Sequence, residues 1–143
     1  MHLSKSFTLA ELCVTSARLD NMPGPKQIES LRTLATDILQ PLRDAVGVPV
    51  NVTSAYRSPA VNKAVGGAKT SQHVLGEAAD IVVAGMSPRE VCEEIIRQYL
   101  PFDQLIQEFG RWTHVSRGPR NRRQVLTAVR RKDGKASYLV GLV

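Results

Sequence analysis

The sequence predicts an α+β fold, with helices early in the chain and an antiparallel sheet later. Two observations carry this. An apolar face recurs at helical spacing through Ile28, Leu31, Leu34, Ala35, Ile38, Leu39 and Leu42. Beyond residue 100, short strand-like runs are separated by tight turns. The 143 residues fit one domain, 1–143, long enough to bury a single core.

Thr8 and Glu11 form a candidate capping box before a helix expected over 9–18. Asn21-Met22-Pro23-Gly24-Pro25 then breaks the chain. The next helix is predicted over 25–46, with Pro41 as a kink site, and it closes at Gly47 before Pro49. A strand over 48–55 leads into a polar loop from Tyr56 to Gly76, with a short helix near 59–65. A second strand covers 78–84. Ser87 caps a helix to about 99, with Pro88 in its first turn. Strands follow at 104–109, 112–116, 124–130 and 137–140, the last pair around Asp133-Gly134. The N-terminal helices are expected to cover one face of the sheet, with a site on the other face walled by the 56–76 loop.

Composition is ordinary for a globular protein, at 43% apolar and 22% charged residues. Aromatic residues make up 5%, which argues against large stacking platforms. No apolar run suits a signal peptide or a membrane span. Cys13 and Cys92 lack metal-ligand spacing and read as reduced, buried thiols. The net charge of +6 is unevenly placed. Residues 1–110 carry 10 basic and 12 acidic side chains, whereas residues 111–143 carry nine basic ones and the single acid Asp133. Such a basic third attracts polyanions. Nucleic acid is the least favoured of these, since no reading motif or interleaved aromatic pattern accompanies the charge.

Three histidines are present. His2 lies at a terminus expected to be mobile. His73 stands seven residues before Asp80, and His114 sits in a later strand. A catalytic zinc site needs three protein ligands and one open position, and imidazole and carboxylate donors suit it. Gly76 permits the bend that would bring His73 and Asp80 to one ion. By spacing alone the signal is weak: lone histidines are more often structural, and Asp80 reads equally as a strand-edge acid paired with a lysine.

Longer patterns add to this. Ser54-Ala55-Tyr56-Arg57-Ser58-Pro59, then Asn62, then Ser71-Gln72-His73 with Gly76, Ala78 and Asp80, then Trp112-Thr113-His114-Val115-Ser116 follow in order. Together they resemble the D-alanyl-D-alanine zinc carboxypeptidase family of metallopeptidases, over roughly residues 25–117. That family includes vancomycin-resistance dipeptidases and many bacteriophage endolysins.

The resemblance implies a hedgehog/DD-peptidase-like fold, with Zn2+ held by His73, Asp80 and His114. Arg57 matches the family arginine that stabilises an oxyanion or substrate carbonyl; a loop salt bridge is its other reading. Ser71 matches a substrate-contacting position, or else stabilises its own turn. Trp112 lines the pocket or packs in the core. Tyr56 is grouped with the substrate-binding residues, although packing is its simpler role. The sequence departs from the family at the general base. Several members carry an acid three residues before the last histidine, where this chain has Arg111. Glu108 is the nearest upstream acid and the expected base, with Glu77 in reserve. A two-residue turn at Gly110-Arg111 sets Glu108 opposite Thr113, on the wrong face. A three-residue loop at 110–112 sets it opposite His114, and this register is the expected one.

The activity so implied is hydrolysis of peptidoglycan stem peptides, either as a D-Ala-D-Ala carboxypeptidase or as an L-Ala-D-Glu endopeptidase. Compact size and the lack of a signal peptide suit a phage endolysin, resident in host or bacterial cytoplasm before it reaches the wall as a monomer. The basic C-terminal third would favour anionic wall or outer-membrane polymers. The alternative is a non-catalytic, zinc-stabilised wall-binding module, as hedgehog domains resemble, kept open by Arg111.

Overall fold

The computed structural model describes residues 1–143. Its main sheet has six strands: β3 (Val50–Ser54), β4 (Ala78–Val83), β5 (Gln104–Glu108), β6 (Trp112–Ser116), β7 (Gln124–Arg130) and β8 (Ala136–Val140). Their spatial order is β3-β4-β6-β5-β7-β8. Four of the five pairings are antiparallel, as expected, but β5 and β7 run parallel.

The helical layer differs from expectation near the N-terminus. In place of a helix over 9–18 there is a small hairpin, β1 (His2–Ser4) with β2 (Phe7–Thr8), followed by a single 3-10 turn, Glu11–Cys13. The Thr8–Glu11 capping box does form, with Glu11 Oε1 accepting from the Thr8 amide at 3.1 Å. Too few apolar residues follow at helical spacing to extend it, and Leu12 alone plugs into the core. His2 is therefore part of a strand rather than a loose end.

The long apolar face behaves as its period requires. Residues 25–46 are one continuous helical run, comprising α1 (Pro25–Leu34), a wide π-helical turn (Ala35–Leu39) and α2 (Gln40–Val46). Pro41 lacks an N–H, so the preceding turn widens and the Gln40 amide bonds back five residues to Ala35. The run ends at Gly47, φ 71°. The short helix α3 (Pro59–Ala64) is capped by the Ser58 hydroxyl. Helix α4 (Pro88–Arg97) starts with a complete Ser87–Glu90 capping box.

The 25–46 run and α4 pack on one face of the sheet. Leu31, Leu34, Ile38, Leu39, Val91 and Ile95 meet Ala79, Ile81, Leu105 and Val115 in a single core. Strand alternation then sends Asp80, His114, Ile106 and Glu108 to the opposite face. Both cysteines are free, with Cys92 buried in the core and its thiol pushed up to about 12 by burial. No helix is long and apolar enough to cross a membrane.

The parallel pairing has a local cause. Residues 117–123 must carry the chain from β6 across the end of β5 to reach β7. Asp103, immediately before β5 and fully buried, anchors that crossing. Its carboxylate accepts from the Arg122 amide, Nε and Nη2 at 3.0, 2.9 and 2.8 Å, and from Gln72 Nε2 at 3.0 Å. The Gln124 amide bonds to the Asp103 carbonyl at 3.0 Å, which starts the parallel ladder.

The basic C-terminal third is largely consumed by such internal contacts. Arg117 pairs with Asp37, Arg122 with Asp103 and Arg131 with Asp133. Arg123 and Arg130 lie over the rings of Phe102 and Phe109. Arg111, Arg120, Lys132 and Lys135 have no carboxylate partner, so the free cationic surface is smaller than composition suggests.

The hydrogen bonds from Arg122 hold the Asp103 carboxyl down to about 2. A carboxylate depressed in the folded state stabilises it above the unfolded pKa, and that contribution is lost as pH falls through the folded value. Asp103→Asn is therefore expected to lower unfolding free energy by about 2 kcal/mol near neutral pH, a figure already discounted for the part-exposed Arg122. The gap between variant and wild type should close as pH drops from about 4 to about 2. Denaturant titrations of both proteins across that range check it.

Candidate metal centre

Asp80 sits mid-row on the exposed face of the sheet, paired with His114 on β6. His73 arrives from the loop that precedes β4. Two things fix that loop. Its backbone bonds to the strand-following segment, Arg57 N–H to the His73 carbonyl at 3.1 Å. Gly76 adopts φ 74° and passes so close to α1 that a Cβ there would stand 2.6 Å from the Gln27 carbonyl oxygen. Glycine alone meets both conditions, and the seven-residue separation of His73 and Asp80 depends on it.

The three side chains converge. Ligand-type atoms of His73, Asp80 and His114 all lie within 4.8 Å of one another. Asp80 Oδ1 is 2.9 Å from His114 Nδ1 and 3.4 Å from His73 Nε2. Donors bound about 2.0 Å from one tetrahedral ion stand about 3.3 Å apart, so the spacing suits a metal with little rearrangement. The His73 tautomer is also set. Its Nδ1 lies 2.7 Å from the Ala55 carbonyl oxygen, which can only accept, so Nδ1 carries the proton and Nε2 presents a lone pair to the cluster. Two imidazoles and one carboxylate are a donor set that zinc takes at catalytic sites.

The charges are coupled. Burial alone would raise the Asp80 carboxyl, but the hydrogen bond from His114 and the closeness of the His73 ring outweigh it and hold it well below the usual carboxylate range. Burial lowers His73, which favours the neutral, ligating form. Burial also acts to lower His114, but its hydrogen bond to Asp80 and the nearby carboxylates raise it instead.

Around this cluster stand the other expected residues. Arg57 Nη2 is 3.4 Å from Asp80 Oδ2, the oxygen turned away from the histidines. Its Nε donates to Ser54 Oγ at 3.0 Å and its Nη1 to Asn62 Oδ1 at 3.4 Å. The salt-bridge reading of Arg57 is thus realised, with its partner being a candidate metal ligand. Glu108 Oε1 is 3.6 Å from His114 Nδ1. Burial raises the Glu108 carboxyl above its ordinary value, against the opposing charge of His114.

The register that delivers Glu108 is neither of the two considered from sequence. Glu108 pairs with Trp112, and His114 pairs with Ile106. The turn runs through Phe109 and Gly110, both at positive φ. This differs from the expected register by two residues, which keeps Glu108 on the His114 face but places it diagonally. Glu77 goes elsewhere. Its carboxylate accepts from Gln72 Nε2 at 3.1 Å and lines a separate cavity with Ser30, Arg117 and Asn121.

Ser71 Oγ accepts from the His73 amide at 3.2 Å, so it stabilises its own turn. Tyr56, grouped with the substrate-binding residues from sequence, belongs to the core at 5% exposure, because the strand-following loop turns it inward. Trp112 is half-buried beside Phe109, and its indole N–H is buried without a hydrogen-bond partner. That N–H lies near enough to favour the charged form of Glu108, short of hydrogen-bond geometry. Buried donors rarely stay unpaired, and Glu108 is the acceptor that its position favours. Sequence reasoning missed Asn21, whose buried amide bonds to the Tyr56 carbonyl at 3.0 Å and the Ser58 amide at 2.7 Å, pinning the loop that bears Arg57. It read only as a turn former, since a long-range side-chain contact leaves no local pattern.

The family model for peptidase M15 matches residues 5–116. The chain belongs to the peptidase M15 family. This is the family that the ordered motifs resemble, and the matched segment contains the whole His73–Asp80–His114 cluster together with Arg57 and Glu108. No curated protein matches the chain.

As a peptidase M15 member the chain invites two tests of this geometry. His73→Ala, Asp80→Ala and His114→Ala are each expected to weaken zinc binding more than about 100-fold in a chelator competition, while Glu108→Gln retains it. Gly67→Ala tests the Arg57 support. A Cβ at Gly67 would stand 2.0 Å from Asn62 Oδ1 and 3.1 Å from Arg57 Nη1, displacing both. Peptide hydrolysis is expected to fall about 10- to 100-fold with zinc affinity unchanged.

Proposed function

We propose that the chain is a zinc-dependent peptidase of the bacterial cell wall that hydrolyses bonds in the peptidoglycan stem peptide. The observation that carries this reading is the convergence of His73, Asp80 and His114 with Glu108 beside them, on the sheet face away from the core. Zinc, when bound by these three residues, supplies a Lewis acid and lowers the pKa of water.

The remaining chemistry belongs to the chain. Glu108 takes the proton of the attacking water and passes it to the leaving amine, which suits a carboxyl raised by burial. Arg57 brings positive charge to the developing oxyanion while its other nitrogens stay fixed by Ser54 and Asn62. Asp80 Oδ2 orients that guanidinium. Cleavage of either the terminal D-Ala-D-Ala bond or the L-Ala-D-Glu bond, and service as a phage endolysin, agree with this site. The few unpaired basic side chains of the C-terminal third would add electrostatic attraction to anionic wall polymers.

Purified peptidoglycan digested with the protein is expected to release new peptide fragments. These vanish with chelator, return with zinc, and by their masses name the bond. Glu108→Gln is expected to cut the rate by about 100- to 10,000-fold while keeping the metal. A folded, zinc-loaded wild type that releases nothing would instead point to the non-catalytic binding module suggested by Arg111.

A further inference from the structure

The family match ends at Ser116, whereas the sheet continues through β7 and β8. Residues directly paired on adjacent strands project to the same face. Two such rows cross the face that carries the metal cluster. One runs Asp80, His114, Ile106, Leu126, Val140. The other runs Trp112, Glu108, Ala128, Tyr138. The C-terminal hairpin therefore extends the floor of the site beyond the matched segment and ends the Glu108 row with a phenol.

Tyr138 lies two strand spacings from Glu108, about 10 Å between backbones. The position between them is Ala128, a single methyl group that is fully buried, so its larger neighbours close over it. Tyr138 itself is 54% exposed, and its hydroxyl has no hydrogen-bond partner. Partial burial raises the phenol's pKa, with the charges of Glu108 and Asp80 adding to it and Arg130 opposing. Arg130 stacks over Phe109 at 4.1 Å, and Phe109 meets Trp112 edge-on at 5.7 Å. Arg130, Phe109 and Trp112 thus form an aromatic and cationic border at the β5–β6 turn beside Glu108.

We propose that the β7–β8 hairpin is a substrate-binding wall, in which the Tyr138 hydroxyl donates a hydrogen bond to a carbonyl or carboxylate oxygen of the peptide lying beside Glu108. This rests on the peptidase reading above. A phenol with an unused donor, on the same face and row as the base, is placed to hold a peptide lying along that row. Free to reach its ligand, it acts in binding and takes no proton in the reaction.

The test is steady-state hydrolysis of a synthetic stem pentapeptide by zinc-loaded wild type, Tyr138→Phe and Tyr99→Phe, the last an 85% exposed tyrosine outside the two rows. Tyr138→Phe is expected to raise KM about tenfold, the size of one lost hydrogen bond, with kcat, zinc content and melting temperature unchanged. Tyr99→Phe should match wild type. An unchanged KM in Tyr138→Phe overturns the inference and leaves the peptidase reading standing, and so does a lowered melting temperature without a KM change. If wild type cuts neither the pentapeptide nor purified peptidoglycan, the peptidase reading fails by itself. The 19F resonance of 3-fluorotyrosine at position 138, titrated with the same peptide, then decides: a saturable shift supports the wall, and no shift overturns it.

Discussion

The buried carboxylate of Asp80 is the constraint on which the site depends. A lone carboxylate at that depth would be costly, and three cationic or hydrogen-bonding side chains surround it instead. Oδ1 faces both histidines and Oδ2 faces Arg57, so each oxygen has a separate duty. A metal at the cluster would take over the histidine side of that arrangement, while the Arg57 side remains. The same residue thereby orients a candidate oxyanion donor and supplies a candidate ligand. Because its oxygens serve both sides, loss of Asp80 would disturb the two halves of the chemistry together.

Much of the surrounding structure keeps the partners of Asp80 in place. His73 depends on the tight passage of Gly76 over α1, and Arg57 depends on Asn62 and on the close approach of Gly67. Asn21 ties the Arg57 loop to the segment before α1. These supports are hydrogen bonds and close backbone contacts, so small side-chain additions there act on chemistry several residues away. The sheet contributes rigidity, since Asp80, His114 and Glu108 all stand on paired strands and the helical core backs them.

On the far side, the buried Asp103–Arg122 pair performs a comparable task for the C-terminal hairpin. It fastens the crossing that lays β7 parallel to β5, which aligns Ala128 with Glu108 and Tyr138 with Ala128. Charges that composition assigned to a polyanion-binding surface are spent on this internal geometry. The proposed electrostatic attraction to wall polymers would therefore rest on the smaller group of unpaired basic residues.

The sequence by itself determined the features that follow from local periodicity and chemistry. The helical run over 25–46 follows from its apolar repeat, α4 from Ser87, Pro88 and Glu90, and the α+β class from the order of elements. The grouping of His73, Asp80 and His114 in space was legible through the ordered motifs, and so was the placement of Glu108 near it. Tertiary structure decided what depends on partners remote in the chain. The Glu108–Trp112 register was set by the positive-φ turn at Phe109-Gly110, and a two-residue shift preserves the face, so side-chain alternation could not distinguish it. The parallel β7, the roles of Asn21 and Gly67, and the inward turn of Tyr56 arise from contacts that leave no local pattern. Thr8 and Glu11 formed their capping box without a helix to follow, because a cap stabilises a helix start but only an apolar face packed on a core extends it.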